Sequence, residues 1–453
     1  MLTANWTQLL TQQRLGDNTA SAHNRLRTGF QRDFDRIIFC SAFRRMQDKT
    51  QVFPLSKVDY IRTRLTHSLE TSCIGRSLGT LVGQAVIERH RLTKITAADI
   101  GNICAAACLA HDIGNPPFGH SGEDAIRHWA KTAPYGKAYV AQLPEEQQHD
   151  FLAFEGNAQG FRIVSQLQNP DNEGGLQLTC ATLAAFSKYP RTAKPVGPVL
   201  SGISSKKHGI NLADQAAFQQ VAQAVGLVPH AGHETAWHRH PLAYLVEAAD
   251  DIAYRVIDIE DGYRLERISY DQAISALLAL LPNNQTHANR LKTIRDPKDH
   301  IEYLRAKVIN EMTQLTLDSF MENEAAILAG QFETPLLGQL HCCAELDALL
   351  TLAREHIYCT PEVISIQTAG YQVIGDLLER FIQVIDEVAQ DGESASPHSH
   401  MLIKMIPQQF IGPAGQPAQD PYLRLLRLTD FVSGMTDSYA VALYKQVTGI
   451  SLP

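Results

Sequence analysis

ICAAACLAHDIGNPPFGHSGEDAI, residues 103–126, reads as the end of one apolar helix, a sharp break, and the start of a second helix. Residues 97–111 are nearly all apolar, so the helix they predict has no solvent face and is buried. Cys104 and Cys108 lie four apart within it and share a face. The chain cannot stay helical through Gly114–Asn115–Pro116–Pro117, because each proline removes a backbone donor and clashes with the preceding turn. A helix restarts over residues 121–132, and Ser121 with Asp124 three positions later predicts a capping box at its N-terminus. The polar groups crowd around the break. His111 and Asp112 close the apolar run, and His120 and Glu123 open the next helix. An aspartate ending a buried apolar run needs a partner for its charge, and a metal ion is one.

Outward from this stretch the chain reads as all-α. Residues 67–90 carry Leu69, Ile74, Leu78, Leu81 and Val82 at helical spacing. Residues 241–262 form a long helix with Pro241 in its first turn. Further helices are predicted over 271–281, 298–330, 338–356, 361–390 and 421–447. VFPL at 52–55 is at most a short strand. Residues 190–211 and 391–420, rich in proline and glycine, read as irregular. The 453 residues divide into an N-terminal unit, 1–270, with a long irregular insertion at 190–211, and a C-terminal helical region, 271–453.

Charge and cysteine usage exclude several classes of protein. The net charge of −8, from 40 basic and 48 acidic residues, gives no global drive onto nucleic acid or an anionic membrane. An anionic ligand must therefore be captured by a local basic cluster. The N-terminal residues lack a signal-peptide pattern, and no apolar run reaches the roughly 18 residues of a membrane helix. Eight cysteines without a CxxC pair fit a reduced, cytoplasmic setting.

Two more segments join the His111–Asp112 pair. One is His67 in RTRLTHSLE, and the other is Asp250 in YLVEAADDIAY. Imidazoles and carboxylates on rigid helices are what a divalent cation takes. Asp250, Tyr254 and Asp258 are spaced i, i+4, i+8 and share one face of their helix, as do Glu247 and Asp250 at i, i+3. Apolar neighbours such as Leu245, Val246, Ile252 and Val256 surround that face, which points to a polar cavity. Asp251 competes with Asp250 for the ion, but lies about 100° further round the helix. Each residue also has a plainer reading. His67 and Tyr254 fit ordinary core packing, Glu123 is favoured by the helix dipole in any first turn, and Lys188–Tyr189 before Pro190 would serve to end a helix.

Taken together, the segments FDRIIFCSAFRRMQDKTQVFP (34–54), RTRLTHSLETSCIGRSL (62–78), AHDIGNPPFGHSGEDAI (110–126), FEGNAQGFRIV (154–164), LTCATLAAFSKYPR (178–191), PLAYLVEAADDIAYRVIDIEDGY (241–263) and FVSGMTDSYAVALY (431–444) resemble the HD-domain deoxynucleoside triphosphate triphosphohydrolases of the bacterial dGTPase-like branch. The resemblance runs in family order over nearly the whole chain. It implies an HD-domain helical core with additional C-terminal helices that complete the pocket and the oligomer contacts. It implies one divalent metal, Mn²⁺ or Mg²⁺ with other transition metals open, on His67, His111, Asp112 and Asp250. His120, oriented by Glu123, would act at the α-phosphate or leaving group, and Arg64 would contact phosphate. Tyr254 and Asp258 would meet the deoxyribose, and Lys188 and Tyr189 the triphosphate or sugar. Gln47 and Asn115 would lie near the sugar and phosphate, and Arg424 or Arg427 would reach a phosphate. The implied reaction hydrolyses dGTP, or dNTPs generally, to deoxynucleoside and inorganic triphosphate. The implied assembly is a hexamer or dimer, with a dNTP or single-stranded DNA as effector. Two other readings stay open: another HD phosphohydrolase releasing single phosphates, and a nucleotide- or DNA-binding regulator without catalysis.

Overall fold

Three glycines set how the first two long helices meet. In helix α1 (Arg64–His90), Gly75, Gly79 and Gly83 fall on successive turns. In the computed structural model, which describes residues 3–16, 27–51, 62–194 and 197–450, they face helix α2 (Ala97–Ala110). A Cβ at Gly75 would lie 2.4 Å from Cys108 Sγ, one at Gly79 2.7 Å from Cys104 Sγ, and one at Gly83 3.0 Å from Ile100 Cβ. The pairing 75–108, 79–104, 83–100 is antiparallel, so the start of α1 lies beside the end of α2. That register brings His67 to His111. Both cysteines are buried on the shared seam, as their spacing predicts.

The chain then turns sharply at 114–119 and enters helix α3 (His120–Thr132). Here the capping-box expectation is corrected. The cap position is Gly119, at φ 60°, with no side-chain cap, and Ser121 is already inside the helix. Gly119 fits because a Cβ there would lie 2.5 Å from the Arg64 guanidinium. Helix α4 (Cys180–Phe186) leads to Lys188 and Tyr189. Helix α5 (Pro241–Arg264) is buried over most of its surface and packs against α1 and against helix α6 (Pro297–Leu328). Helix α7 (Cys343–Ala353) runs into a π turn, Arg354–Tyr358, and helix α8 (Pro361–Asp391) packs on α3.

The predicted helix 421–447 is two helices, α9 (Pro421–Ser433) and α10 (Asp437–Thr448), because Thr436 caps the second through Tyr439 N. Within 391–420 the chain forms short helical turns such as Pro397–Leu402, not one irregular loop. The described residues of 190–211 hold the turn of Ile203–Ser205 and isolated bridges, Arg191 to Ala236 and Thr192 to Ile210. Helices at Gly29–Phe39 and Gln215–Val225 add to the predicted set. VFPL at 52–55 lies outside the described residues. Among the described residues there are isolated β-bridges and no extended sheet, so the fold is all-α. No helix among them is long and apolar enough to cross a membrane.

The buried apolar side chains form two cores. One joins α1, α2, α4, α5, α6 and α7. The other joins α3 to α8, α9 and α10, through residues such as Trp129, Ile374, Phe381 and Phe431. The break at 114–119 lies where the two cores meet, so polar residues there line a cleft.

Candidate metal centre and substrate cavity

His67 from α1, His111 at the end of α2 and Asp250 from α5 offer ligand atoms that all lie within 4.8 Å of one another. Asp250 Oδ1 is 3.1 Å from His67 Nε2 and 3.3 Å from His111 Nε2. His111 Nδ1 faces the Cys108 carbonyl at 2.7 Å, which places its proton there. Its Nε2 is buried and takes no hydrogen bond. A buried lone pair, a second imidazole and a carboxylate oxygen converging in this way fit a divalent cation. Asp251, one residue on, leans instead toward Arg255, 4.0 Å away.

Asp112 lies at the edge of this group, with Oδ1 3.6 Å from His111 Nε2. Its other oxygen accepts from Arg64, and Asn115 Nδ2 donates to Oδ1 at 2.5 Å. Burial alone would raise the Asp112 carboxyl, but Arg64, His111 and His67 outweigh it and hold it well below the usual range. Asp250 behaves alike. Burial opposes its charge, and Lys188 and the two imidazoles restore it. Lys188 Nζ sits 2.8 Å from Asp250 Oδ2 and stays cationic against burial because Asp250 and Glu247 face it. Arg239 supports this corner. It donates to the Lys188 carbonyl at 2.6 Å, pairs with Glu247 at 2.7 Å and lies over the Tyr189 ring.

His120 projects from the first turn of α3 into open space, with 79% of its side chain exposed, while its Nδ1 holds Glu123 Oε2 at 2.8 Å. Glu123 is buried, and its other oxygen accepts from Gly156 N at 2.7 Å. The hydrogen bond that His120 donates to Glu123 raises the imidazole above its ordinary value. Burial works against the Glu123 charge, but the bond to His120 holds its carboxyl low.

His67 and Glu123 are buried behind the wall of two adjoining lobes, and the other groups of the centre line that wall. The first, of about 500 Å³, is lined by Thr50, Gln51, Phe118, Tyr358, Val363 and Gln367. The second, of about 950 Å³, is more basic, with Lys188, Lys206, Lys207 and Arg255. Asp112, His120, Asp250, Tyr254 and Arg354 line both. Arg64 and Asp258 line the first lobe, and His111, Asn115 and Tyr189 the second. Burial pushes the Asp258 carboxyl up to about 7, and the Tyr358 hydroxyl donates to it.

Two sequence assignments fall elsewhere. Gln47 sits on the exposed side of the turn Met46–Asp48 and lines neither lobe, whereas Gln51, one bend further on, lines the first with a buried, unbonded Oε1. Arg424 is buried against Asp386, 3.3 Å away, and neither it nor Arg427 lines the cavity. Arg354 and Tyr358, absent from the sequence reading, come in on the π turn after α7.

Known proteins match this arrangement along the whole chain. The HD domain model matches residues 64–191, which carry His67, His111, Asp112, His120 and Lys188, and a phosphohydrolase-associated domain model matches residues 340–446. These matches define a helical HD-domain hydrolase. The deoxyguanosinetriphosphate triphosphohydrolase-like protein of Synechocystis sp. is 43% identical, over 99% of this chain and 100% of its own. The protein of the same name from Pseudomonas aeruginosa is 39% identical over 99% of both chains. The deoxyguanosinetriphosphate triphosphohydrolase of Enterobacter sp. is 30% identical over 95% of both. The chain belongs to the bacterial dGTPase-like family of HD-domain deoxynucleoside triphosphate triphosphohydrolases.

Proposed function

We propose that this protein hydrolyses deoxynucleoside triphosphates, dGTP or dNTPs generally, to deoxynucleoside and inorganic triphosphate, using a divalent ion held by His67, His111, Asp112 and Asp250. The observation that carries the reading is the convergence of two imidazoles and a carboxylate, with Asp250 opening onto both a small lobe and a basic lobe. When bound, the ion supplies a Lewis acid for the α-phosphate and acidifies a water.

The chain's own residues supply the rest. The nucleoside occupies the smaller lobe, with Tyr254 and Asp258 toward the sugar and Gln51 in the place the resemblance implies for Gln47. The triphosphate lies in the basic lobe, where Lys188, Lys206, Lys207 and Arg354 offset its charge. Tyr189 and Asn115 border its path, and Arg64 fixes Asp112 from the other side. His120, held by Glu123, donates its Nε2 proton to the 5′ oxygen as the bond from that oxygen to the α-phosphorus breaks. A protonated imidazole with a buried carboxylate behind it is suited to that step.

The same reading gives Mn²⁺ or Mg²⁺ as the working metal, a cytoplasmic setting and a homo-oligomer, hexamer or dimer. Its N-terminal unit, 1–270, carries catalysis, and the C-terminal region completes the pocket. A second dNTP or single-stranded DNA is its candidate effector. The test is to incubate the protein with each of the four dNTPs and Mn²⁺, with and without a second dNTP, and separate the products. Deoxynucleoside with tripolyphosphate is expected. Release of single phosphates would assign a nucleotidase, and no turnover under any condition would assign a binding regulator.

A further inference from the structure

A second group of imidazoles lies outside the catalytic wall. The segment PHAGHETAWHRH (229–240) carries four histidines. One is accounted for: His240 caps α5 through Leu242 N at 3.1 Å and holds the Leu9 carbonyl at 3.1 Å. Of the other three, His230 and His233 each keep a buried ring nitrogen without a partner. Residues 228–238 form a tight hairpin, with Pro229 bridged to Trp237, His230 N donating to Ala236 O at 3.0 Å and His238 N to Val228 O at 2.8 Å. This backbone brings the His230 and His238 rings together, with centroids 3.8 Å apart and planes tilted by 36°. Glu333, from the segment after α6, meets His238 Nδ1 at 3.1 Å.

His230, His238 and Glu333 present ligand atoms within 4.8 Å of one another. His233 stands edge-on to His230, with ring centroids 6.4 Å apart. Two ring nitrogens here are buried without any hydrogen bond: His230 Nε2, and His233 Nδ1, which lies toward Gly197, where a Cβ would come within 2.7 Å of it. Buried nitrogens of this kind forfeit their water hydrogen bonds with no return, unless something else occupies the space they face.

We infer that His230, His238 and Glu333 form a second divalent-metal site that takes a borderline transition cation such as Zn²⁺. Two imidazoles with one carboxylate are a ligand set such a cation selects, with the fourth position left to water. The site has a defined mechanical role. Glu333 abuts Gly202, where a Cβ would lie 2.1 Å from its carboxylate oxygen. Gly202 belongs to the loop that carries Lys206 and Lys207 into the basic lobe. An ion on Glu333 therefore ties the hairpin to the cavity wall.

The test is a Co²⁺ titration of the chelator-stripped full-length protein, read by bound metal after desalting and by visible absorption. Wild type, His238→Gln, Glu333→Gln and His111→Gln are compared, with circular dichroism to confirm the fold. Two equivalents are expected in wild type. His238→Gln and Glu333→Gln each weaken one of them roughly tenfold or more, and His111→Gln retains that one. Should His238→Gln fail to fold, Glu333→Gln decides alone, because Glu333 is partly exposed. A single equivalent that His111→Gln abolishes would overturn the inference, as would unchanged binding and spectrum in the folded variants. A single equivalent that survives His111→Gln but not Glu333→Gln would uphold this site and count against the catalytic one.

Discussion

Glu123 reaches no cavity itself, yet its position in the first turn of α3 lets it hold His120 with one oxygen and Gly156 N with the other. The sign of its influence is fixed. It raises His120, so the protonated imidazole persists to higher pH, and activity that needs this proton falls as pH rises through the raised value. In Glu123→Gln the basic limb of the kcat/KM profile is therefore expected to move to lower pH with the metal still bound. An unmoved limb would remove Glu123 from the mechanism. His120→Ala should keep the metal and lose roughly 100- to 10,000-fold in kcat. Tyr254 makes a separate prediction. If its ring crowds the sugar's 2′ position, wild type turns over dATP far faster than ATP and Tyr254→Ala narrows the ratio. Equal rates in wild type would refute that role. Residues of this scale were partly legible in the sequence. An aspartate ending an apolar run and a histidine–glutamate pair after a double proline are costly without a purpose, and that cost is visible without coordinates. Gln47 and Gln51 were not separable, because two glutamines four apart carry no periodic signal. Only the turn at Met46–Asp48 decides which one faces inward.

The α1–α2 seam is the element that makes the site possible. Its closeness depends on glycine, since any Cβ at Gly75 or Gly79 would overlap a cysteine sulfur of α2. Gly79→Val should cost about 1–3 kcal/mol through overpacking and weaken metal binding by shifting His67 from His111. Thermal melting and Mn²⁺ affinity check this, and wild-type values for both would show that the seam does not set the site. The helices themselves were legible from periodicity, but the seam was not, because nothing in one sequence says which glycines meet which cysteines. The π turn Arg354–Tyr358 escaped for the same reason. Its residues are ordinary helix formers, and the irregularity that aims Arg354 and Tyr358 at the cavity arises from packing. The cap of α3 was misread because Ser121 satisfies a local rule, whereas the real constraint at Gly119 is the Arg64 guanidinium, brought in from another helix.

Across the whole molecule, the last helix stabilises the loop that carries the chemistry. Asp437, at the first position of α10, accepts from Phe118 N at 2.9 Å and from Thr50 N at 3.0 Å. Phe118 sits at φ 63°, a conformation that a non-glycine residue holds only when its surroundings impose it. Asp437→Ala should destabilise by about 1–3 kcal/mol and lower kcat while metal binding persists. Undiminished kcat in a folded variant would deny the C-terminal helix any part in positioning His120. This dependence explains why residues so distant in sequence share one core, and why a catalytic constellation read mainly from residues 64–258 needs the rest of the chain. The account as a whole rests on a cation between α1, α2 and α5. The most direct measurement is anomalous diffraction from crystals soaked in Mn²⁺. An anomalous peak about 2.1 Å from ring nitrogens of His67 and His111 and from an oxygen of Asp250, with Asp112 turned to join them, is the predicted result. A clean map with no peak there, and Asp250 still held by Lys188 and His67 alone, would contradict it.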